Sequence, residues 1–296
     1  MLAEPPFYTT FVKLPDANSP TPDYIQSSPK FSPFFDATLG AIDGTHVNCS
    51  PSAEERSASR NRKGVLTQNC LVACSFDLRF TYVLSGWEGS TADSTLYHDA
   101  REVDFFVPPG RYYLADAGFA SCNTLLVPYW NVRYHLREWK HGNSRYVMIS
   151  FLAILLLTLI IPPSPCTPEE LFNLRHASAR NVVERIFGIL KHRFRILYLP
   201  PEYDMSVQSR IPAALAALHN FIRHYDPEEI DMYRDPTAEF DLEVLEMAAT
   251  VSVGELGTGP ASGAERNSAN ERRDRIARDM WAQYSTYLET RVVHTP

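Results

Sequence analysis

Apolar and polar positions alternate or gather in short runs through the first half of the chain, and recur at helical spacing in the second. Leu39–Asn48, Val65–Phe76 and Arg79–Leu84 read as three strands rich in Val, Leu, Tyr and Phe, with Asp77-Leu78 as the hairpin turn joining the last two. Thr91–Ala100 predicts a short helix, Tyr112–Ala115 a fourth strand and Val132–Leu136 a fifth. Pro168–Leu197 predicts a largely helical stretch. Within it Val183, Ile186, Phe187, Leu190 and Phe194 form one apolar stripe, while Asn181, Glu184, Gly188, Lys191 and Arg195 share a polar, basic face. Val207–His224 predicts another helix. Glu271–Leu288 predicts a charged amphipathic helix, which either docks through Ile276, Met280 and Trp281 or contacts DNA or a partner. Residues 1–39, rich in Pro, Ser and Asp, predict an extended segment with short structure at most, and Thr250–Asn270, rich in Gly, Ser, Ala and Thr, predicts disorder.

The run Val147–Ile161 fits none of this. At fifteen residues it is shorter than the roughly 18–20 that span a bilayer. It reads as an interfacial or membrane segment, as a buried core helix, or as an intron translated in frame; the last is preferred. A splice donor reading GTATGT, split across codons, would encode Tyr146-Val147 after a codon ending in G, such as one for Arg145. An apolar insertion of that kind is an aggregation hazard.

Composition adds little except in charge and cysteine. Met1–Pro15 has no continuous apolar core and is not patterned as a leader. The five cysteines are scattered with no Cys-x-x-Cys pair, which argues against a zinc site or a disulfide framework and favours a reducing compartment. The net charge of −7 runs against phosphate binding. However, nine acids and one arginine between Asp226 and Glu246 contribute −8 of it, so the remainder sums to +1. That acidic stretch reads as a solvated linker.

Three acids end or occupy well-marked segments: Asp43 in Gly-Ala-Ile-Asp-Gly-Thr-His, Asp116 in Tyr-Tyr-Leu-Ala-Asp-Ala-Gly-Phe, and Glu184 in Arg-Asn-Val-Val-Glu-Arg-Ile-Phe-Gly. Separated carboxylates on rigid elements can hold two divalent ions, which is what in-line phosphodiester cleavage needs. All-oxygen ligands favour Mg²⁺, with Mn²⁺ able to substitute. Without metal such carboxylates repel, so their pKa values are expected to rise. His46 is either a donor behind these ligands or a packed, hydrogen-bonded histidine. Asp93 is either an auxiliary contact or an acid complementing a helix dipole. Arg60, Arg62 and Lys63, with Arg175, His176, Arg180, Arg185 and Lys191, are the candidates for DNA contact. Trp87 either stacks on a base or packs in the core.

These motifs, with Arg-Asn-Arg-Lys-Gly (60–64), Phe-Asp-Leu-Arg-Phe-Thr-Tyr-Val-Leu-Ser-Gly-Trp-Glu-Gly-Ser (76–90), Val-Pro-Pro-Gly (107–110), Leu-Phe-Asn-Leu-Arg-His-Ala (171–177) and Ala-Leu-His-Asn-Phe-Ile-Arg (217–223), resemble the DDE endonuclease domain of Harbinger transposases and the nucleases derived from them. The resemblance runs from about Gly40 to Tyr225. It implies an α/β, RNase H-like mixed sheet flanked by helices, with disordered tails. It implies metal binding and catalysis by Asp43, Asp116 and Glu184, with hydrolysis of DNA by two divalent ions and, in a transposase, strand transfer by the released 3′-hydroxyl. Nuclear action, a separate Myb-like DNA-binding partner and homo-oligomers follow from the same likeness, and a membrane location does not. Such transposases carry a helix-turn-helix-like region before the first Asp, and nothing in 1–39 resembles it. The expected division is 1–39 as an N-terminal segment, 40–225 as the endonuclease domain with 145–164 inserted, 226–270 as linker and 271–296 as a C-terminal helix. The alternative is an inactive, transposase-derived protein that binds DNA or another protein. A metal phosphohydrolase for small substrates ranks last, because no Gly-rich loop cradles a nucleotide.

Overall fold

The structure, a computed structural model, describes residues 1–133, 165–229 and 261–292. The apolar run Val147–Ile161 and the acidic stretch from 230 onward lie outside them. Two short helices, α1 (Phe7–Phe11) and α2 (Asp23–Gln26), precede three antiparallel strands, β1 (Thr38–Asn48), β2 (Thr67–Cys74) and β3 (Phe80–Glu88). Then come α3 (Asp93–Val103), β4 (Tyr112–Leu114) and β5 (Leu125–Leu126). After the undescribed stretch follow α4 (Pro168–Arg193), a 3-10 turn (Arg195–Leu197), α5 (Met205–Gln208), α6 (Ile211–Tyr225) and α7 (Gly263–Val292). The sheet has five strands in the order β3-β2-β1-β4-β5, with β4 and β5 parallel to β1. This is the mixed α/β, RNase H-like arrangement that the resemblance implies.

Helices cover both faces of the sheet, so every residue of β2 is buried, as a two-sided strand requires. One core joins Val72, Phe80, Leu114, Phe172, Val183, Ile186 and Phe187, with α4 and α6 on that face. The other joins Leu39, Ile42, Leu71, Leu96, Tyr97 and Tyr113, beneath α3. Tyr112 and Tyr113 enter opposite cores, the period-2 alternation of a strand. α4 starts where its sequence says it should: Thr167 caps it by accepting from the Glu170 amide at 3.2 Å, Pro168 takes the first turn, and Lys191, His192 and Arg193 fill the last.

The structure departs from the sequence reading in four places. Val132 and Arg133 are in no strand and the rest of the strand expected over Val132–Leu136 lies outside the described residues; β5 is at Leu125–Leu126, paired beside β4. The helix expected over Val207–His224 is two pieces, because Pro212 lacks an N–H and fits only a first turn. Residues 1–39 are not just an approach: Ile25 and Phe35 are fully buried in the first core, and the Phe11 carbonyl accepts from Asn220 at 2.8 Å. Finally, residues 263–270, expected to be disordered, are the first turns of α7. Ala269 is buried, Ser121 donates to Asn270 at 3.0 Å, and Glu265 accepts from the Asn123 amide at 3.2 Å, so tertiary contacts override the small-residue composition.

Candidate functional site

The parallel pairing of β1 and β4 builds the site. Ala41 is opposite Leu114, so Asp43 and Asp116, each two residues further on, emerge side by side from neighbouring strands. Asp43 is in the middle of β1, opposite Val72 of β2 and two residues past the last pair with β4. Asp116 has just left β4, and its Oδ1 accepts from the Gly118 amide at 2.8 Å, which fixes its rotamer. α4 lies across β1 and β4 and brings Glu184 to them. Between these acids sits Arg180, one helical turn before Glu184: Nη1 donates to Asp43 Oδ2 at 2.8 Å and Nη2 donates to Glu184 Oε1 at 2.7 Å.

Asp93 joins from the other side. It opens α3, and its Oδ1 accepts from Asn69 Nδ2 on β2 at 2.7 Å. The carboxylate lies so close over β1 that a Cβ on Gly44 would fall 2.0 Å from Oδ1. Only glycine leaves room there. Four carboxylates from β1, the first turn of α3, the end of β4 and α4 thus share one electrostatic neighbourhood. Burial raises the Asp43 carboxyl, and Asp116 and Glu184 raise it further against the opposing pull of Arg180. Burial likewise raises Asp116, again with Arg180 opposing. Asp93 is pushed up to about 6, by burial first and then by Asp43, against the hydrogen bond from Asn69. Asp43, Asp93 and Asp116, three acids that burial holds against ionisation, offer with Glu184 an all-oxygen donor set that fits a hard divalent cation. Asn69 Oδ1, buried and without a partner among the described residues, is a further oxygen beside them. As they stand, no three His, Cys, Asp or Glu among the described residues are gathered tightly enough to hold an ion; the Arg180 guanidinium takes up the space between two of the acids.

His46, further along β1, shares a hydrogen bond of 3.0 Å with the Thr67 hydroxyl. Burial lowers its pKa, and Lys191, Arg62 and Lys63 lower it further. Arg62 also pulls on Asp93, so the exposed loop of Arg60, Arg62 and Lys63 runs near the acids. Arg60 closes that loop on the Gly64 carbonyl at 2.8 Å, and Asn61 Oδ1 accepts from the Lys63 and Val65 amides.

The other expected DNA contacts are placed differently. His176 is fully buried, bonded to the Leu126 carbonyl at 2.8 Å and stacked on Phe172, and burial drives its pKa down to about 3. Arg180 is buried between the acids. Lys191 is buried with Nζ donating to Thr45 at 3.2 Å, and burial lowers its pKa to about 8. Gly188 is buried as well, so the polar strip read along this helix runs from half-buried Asn181 and Glu184 through an interior stretch to exposed Arg195. The reason is that α4 is covered on several sides, by the sheet, by α6 and by α7, so a face that a surface helix would give to water is enclosed. Arg175 binds Gln283 of α7 at 3.2 Å and covers the Phe34 ring, and Arg185 lies near Tyr24. Trp87 packs against the second core. Sequence reasoning missed the bridge made by Arg180 and the hold of Asn69 on Asp93. The spacing of Arg180 and Glu184 by four residues was the available signal for the first; nothing local marks the second.

Residues 42–220 match the family described as DDE superfamily endonuclease. Among curated proteins, the chain is 29% identical over 187 residues to "Putative nuclease HARBI1" of Bos taurus, covering 62% of this chain and 45% of that protein. It is 27% identical over 223 residues to the protein of the same name from Homo sapiens, covering 71% and 55%. "Protein ALP1-like" of Arabidopsis thaliana is 28% identical over 200 residues, covering 65% and 44%. The chain therefore spans about half the length of the curated relatives it matches. No solved structure matches it.

Proposed function

The chain belongs to the DDE superfamily endonucleases, and on that premise we propose that it is a metal-dependent nuclease of transposase origin that hydrolyses phosphodiester bonds in DNA. The observation that carries the proposal is the convergence of Asp43, Asp93, Asp116 and Glu184 from four separate elements, assembled by the parallel β1–β4 register and by α4. Asp43, Asp116 and Glu184 would hold Mg²⁺ or Mn²⁺, with Asp93 as an auxiliary ligand. When bound, such ions supply Lewis-acid polarisation of the phosphoryl group and ease ionisation of water.

The chain's own residues do the rest. Arg60, Arg62 and Lys63 lie exposed on one loop, with Arg62 close enough to act on Asp93, and are proposed to position the DNA backbone. The attacking water is proposed to give its proton to solvent, and the departing 3′-oxygen to take one from solvent. In the proposed reaction water oxygen bonds to phosphorus, the bond to the 3′-oxygen breaks, and that oxygen leaves as a 3′-hydroxyl, with no covalent enzyme intermediate. Strand transfer by that hydroxyl, a Myb-like partner, self-association and a nuclear site of action belong to the same reading. Among the described residues no helix is long and apolar enough to cross a membrane.

The ion pairs of Arg180 with two of the acids favour a second reading, in which the fold persists as a DNA- or protein-binding module without catalysis. Nicking of supercoiled plasmid separates the two. The chain, the chain lacking 145–164, and an Asp116→Asn variant of the shortened chain are compared with Mg²⁺ and with Mn²⁺. Metal-dependent nicking that disappears in the variant is expected. Folded proteins that shift DNA mobility but never nick would establish the second reading. Nicking only after the deletion would mark 145–164 as foreign to the protein.

A further inference from the structure

Arg180 is joined to two carboxylates by two different nitrogens, instead of gripping one carboxylate with both. Its partners come from a strand and a helix, so the guanidinium spans the gap between them, and its side chain is only 8% exposed. A single cation between Asp43 and Glu184 does electrostatically what a divalent ion would do there. Without it, two acids would face each other in a poorly hydrated space, which is costly. With a divalent ion present, a third positive charge between the same oxygens would be repelled. The guanidinium fork fits phosphate as well as carboxylate, so an anionic backbone drawn to the site offers it an equivalent partner.

We infer that Arg180 is a stand-in cation: it neutralises Asp43 and Glu184 in the metal-free protein and passes to a DNA phosphate when a divalent ion takes those carboxylates, so that metal and DNA bind cooperatively. The inference rests on the nuclease reading of the site. It differs from a simple phosphate contact because the same residue opposes metal binding when DNA is absent. By linkage, DNA must tighten metal binding by the factor with which metal tightens DNA binding.

Calorimetric titration of Mn²⁺ into the full chain tests this, for wild type, Arg180→Gln and Arg180→Lys, with and without a short mixed-sequence phosphorothioate duplex and with the duplex-only titration subtracted. Without DNA, Arg180→Gln is expected to bind Mn²⁺ about tenfold tighter than wild type, within the usual range of coupling between sites. The duplex is expected to tighten Mn²⁺ binding to wild type by about fivefold or more and to leave Arg180→Gln unchanged. Arg180→Lys, which replaces the two-armed fork with a single ammonium, should bind Mn²⁺ more tightly than wild type and carries the test if Arg180→Gln does not fold. Equal or weaker Mn²⁺ binding by the folded variants, or equal tightening by DNA in wild type and Arg180→Gln, would overturn the inference while leaving the nuclease reading intact. Failure of wild type and variants alike to bind Mn²⁺ would overturn both.

Discussion

Gly44 and Lys191 show how single positions serve this site in opposite ways. Gly44 matters for what it lacks: any Cβ would meet the Asp93 carboxylate at 2.0 Å, and that carboxylate is short and held by Asn69. Gly44→Ala should therefore expel Asp93 from the cluster while β1 stays paired. A loss of about 1–3 kcal/mol by denaturant unfolding is expected, together with a weaker stabilisation by Mn²⁺. An unchanged Mn²⁺ response would remove Asp93 from the metal site. Lys191 matters for what it carries, a charge in an enclosed place with the Thr45 hydroxyl as its hydrogen-bond acceptor. Its folded pKa, lowered by burial from 10.5 to about 8, is below the unfolded value. The unfolded chain then binds more protons between those values, so the contribution of Lys191 to stability rises as pH increases from about 8 to 10.5 and is at its lowest below about 8. Lys191→Met should remove that rise and stabilise the protein by roughly 1–3 kcal/mol at pH 7. Chemical unfolding at pH 7 and at pH 10 checks both halves of the expectation.

At the scale of elements, the decisive pieces are the β1–β4 pair and the helices laid on it. A parallel pair sets residues at equal distance past a matched position side by side, so Ala41 opposite Leu114 is enough to bring Asp43 beside Asp116. α7 does a different job, closing the sheet edge. Arg272 donates to the carbonyls of Asn123 at 2.7 Å and Leu125 at 2.9 Å, and its guanidinium covers the Tyr112 ring, while Ile276, Ala277 and Met280 enter the first core. An uncovered edge strand invites pairing between molecules. Removal of 263–296 is therefore expected to leave β1–β3 folded but to cause aggregation, seen as large species in light scattering. A monodisperse, equally stable truncation would show that α7 is dispensable for the fold.

At the scale of the whole molecule, clustered acids make stability depend on pH and on cations. Asp93 has a folded pKa of about 6 against an ordinary 3.8, so between these values the folded state holds more protons than the unfolded one. This part of the stability is fully present below pH 3.8 and is lost as pH rises through about 6. Asp43 and Asp116, shifted in the same direction, add to the loss. Divalent ions should restore it above that window, by about 2.7 kcal/mol at one hundred times the dissociation constant. Thermal melts from pH 4 to 8 with and without Mg²⁺ check the sign: the benefit of the ion should grow with pH, and a benefit confined to low pH would contradict it.

What the sequence determined by itself is local. β1 to β4 and α3 are legible because their side chains repeat at the period of the element they form, and α4 because Val183, Ile186, Phe187 and Leu190 recur at helical spacing after Pro168. Asp43, Asp116 and Glu184 are legible as acids closing or riding such elements. Tertiary structure decided the rest, because the remaining contacts join residues far apart in the chain. Arg180 meets Asp43 across 137 positions, Lys191 meets Thr45 across 146, and Ser121 meets Asn270 across 149. Helical period shows that Arg180, Lys191 and Glu184 are polar, but it does not say which neighbours will enclose them. Only packing decides whether a basic residue on α4 faces water and DNA or is taken inside to neutralise the acids, because the cost of burying its charge depends on the partners that the fold brings to it.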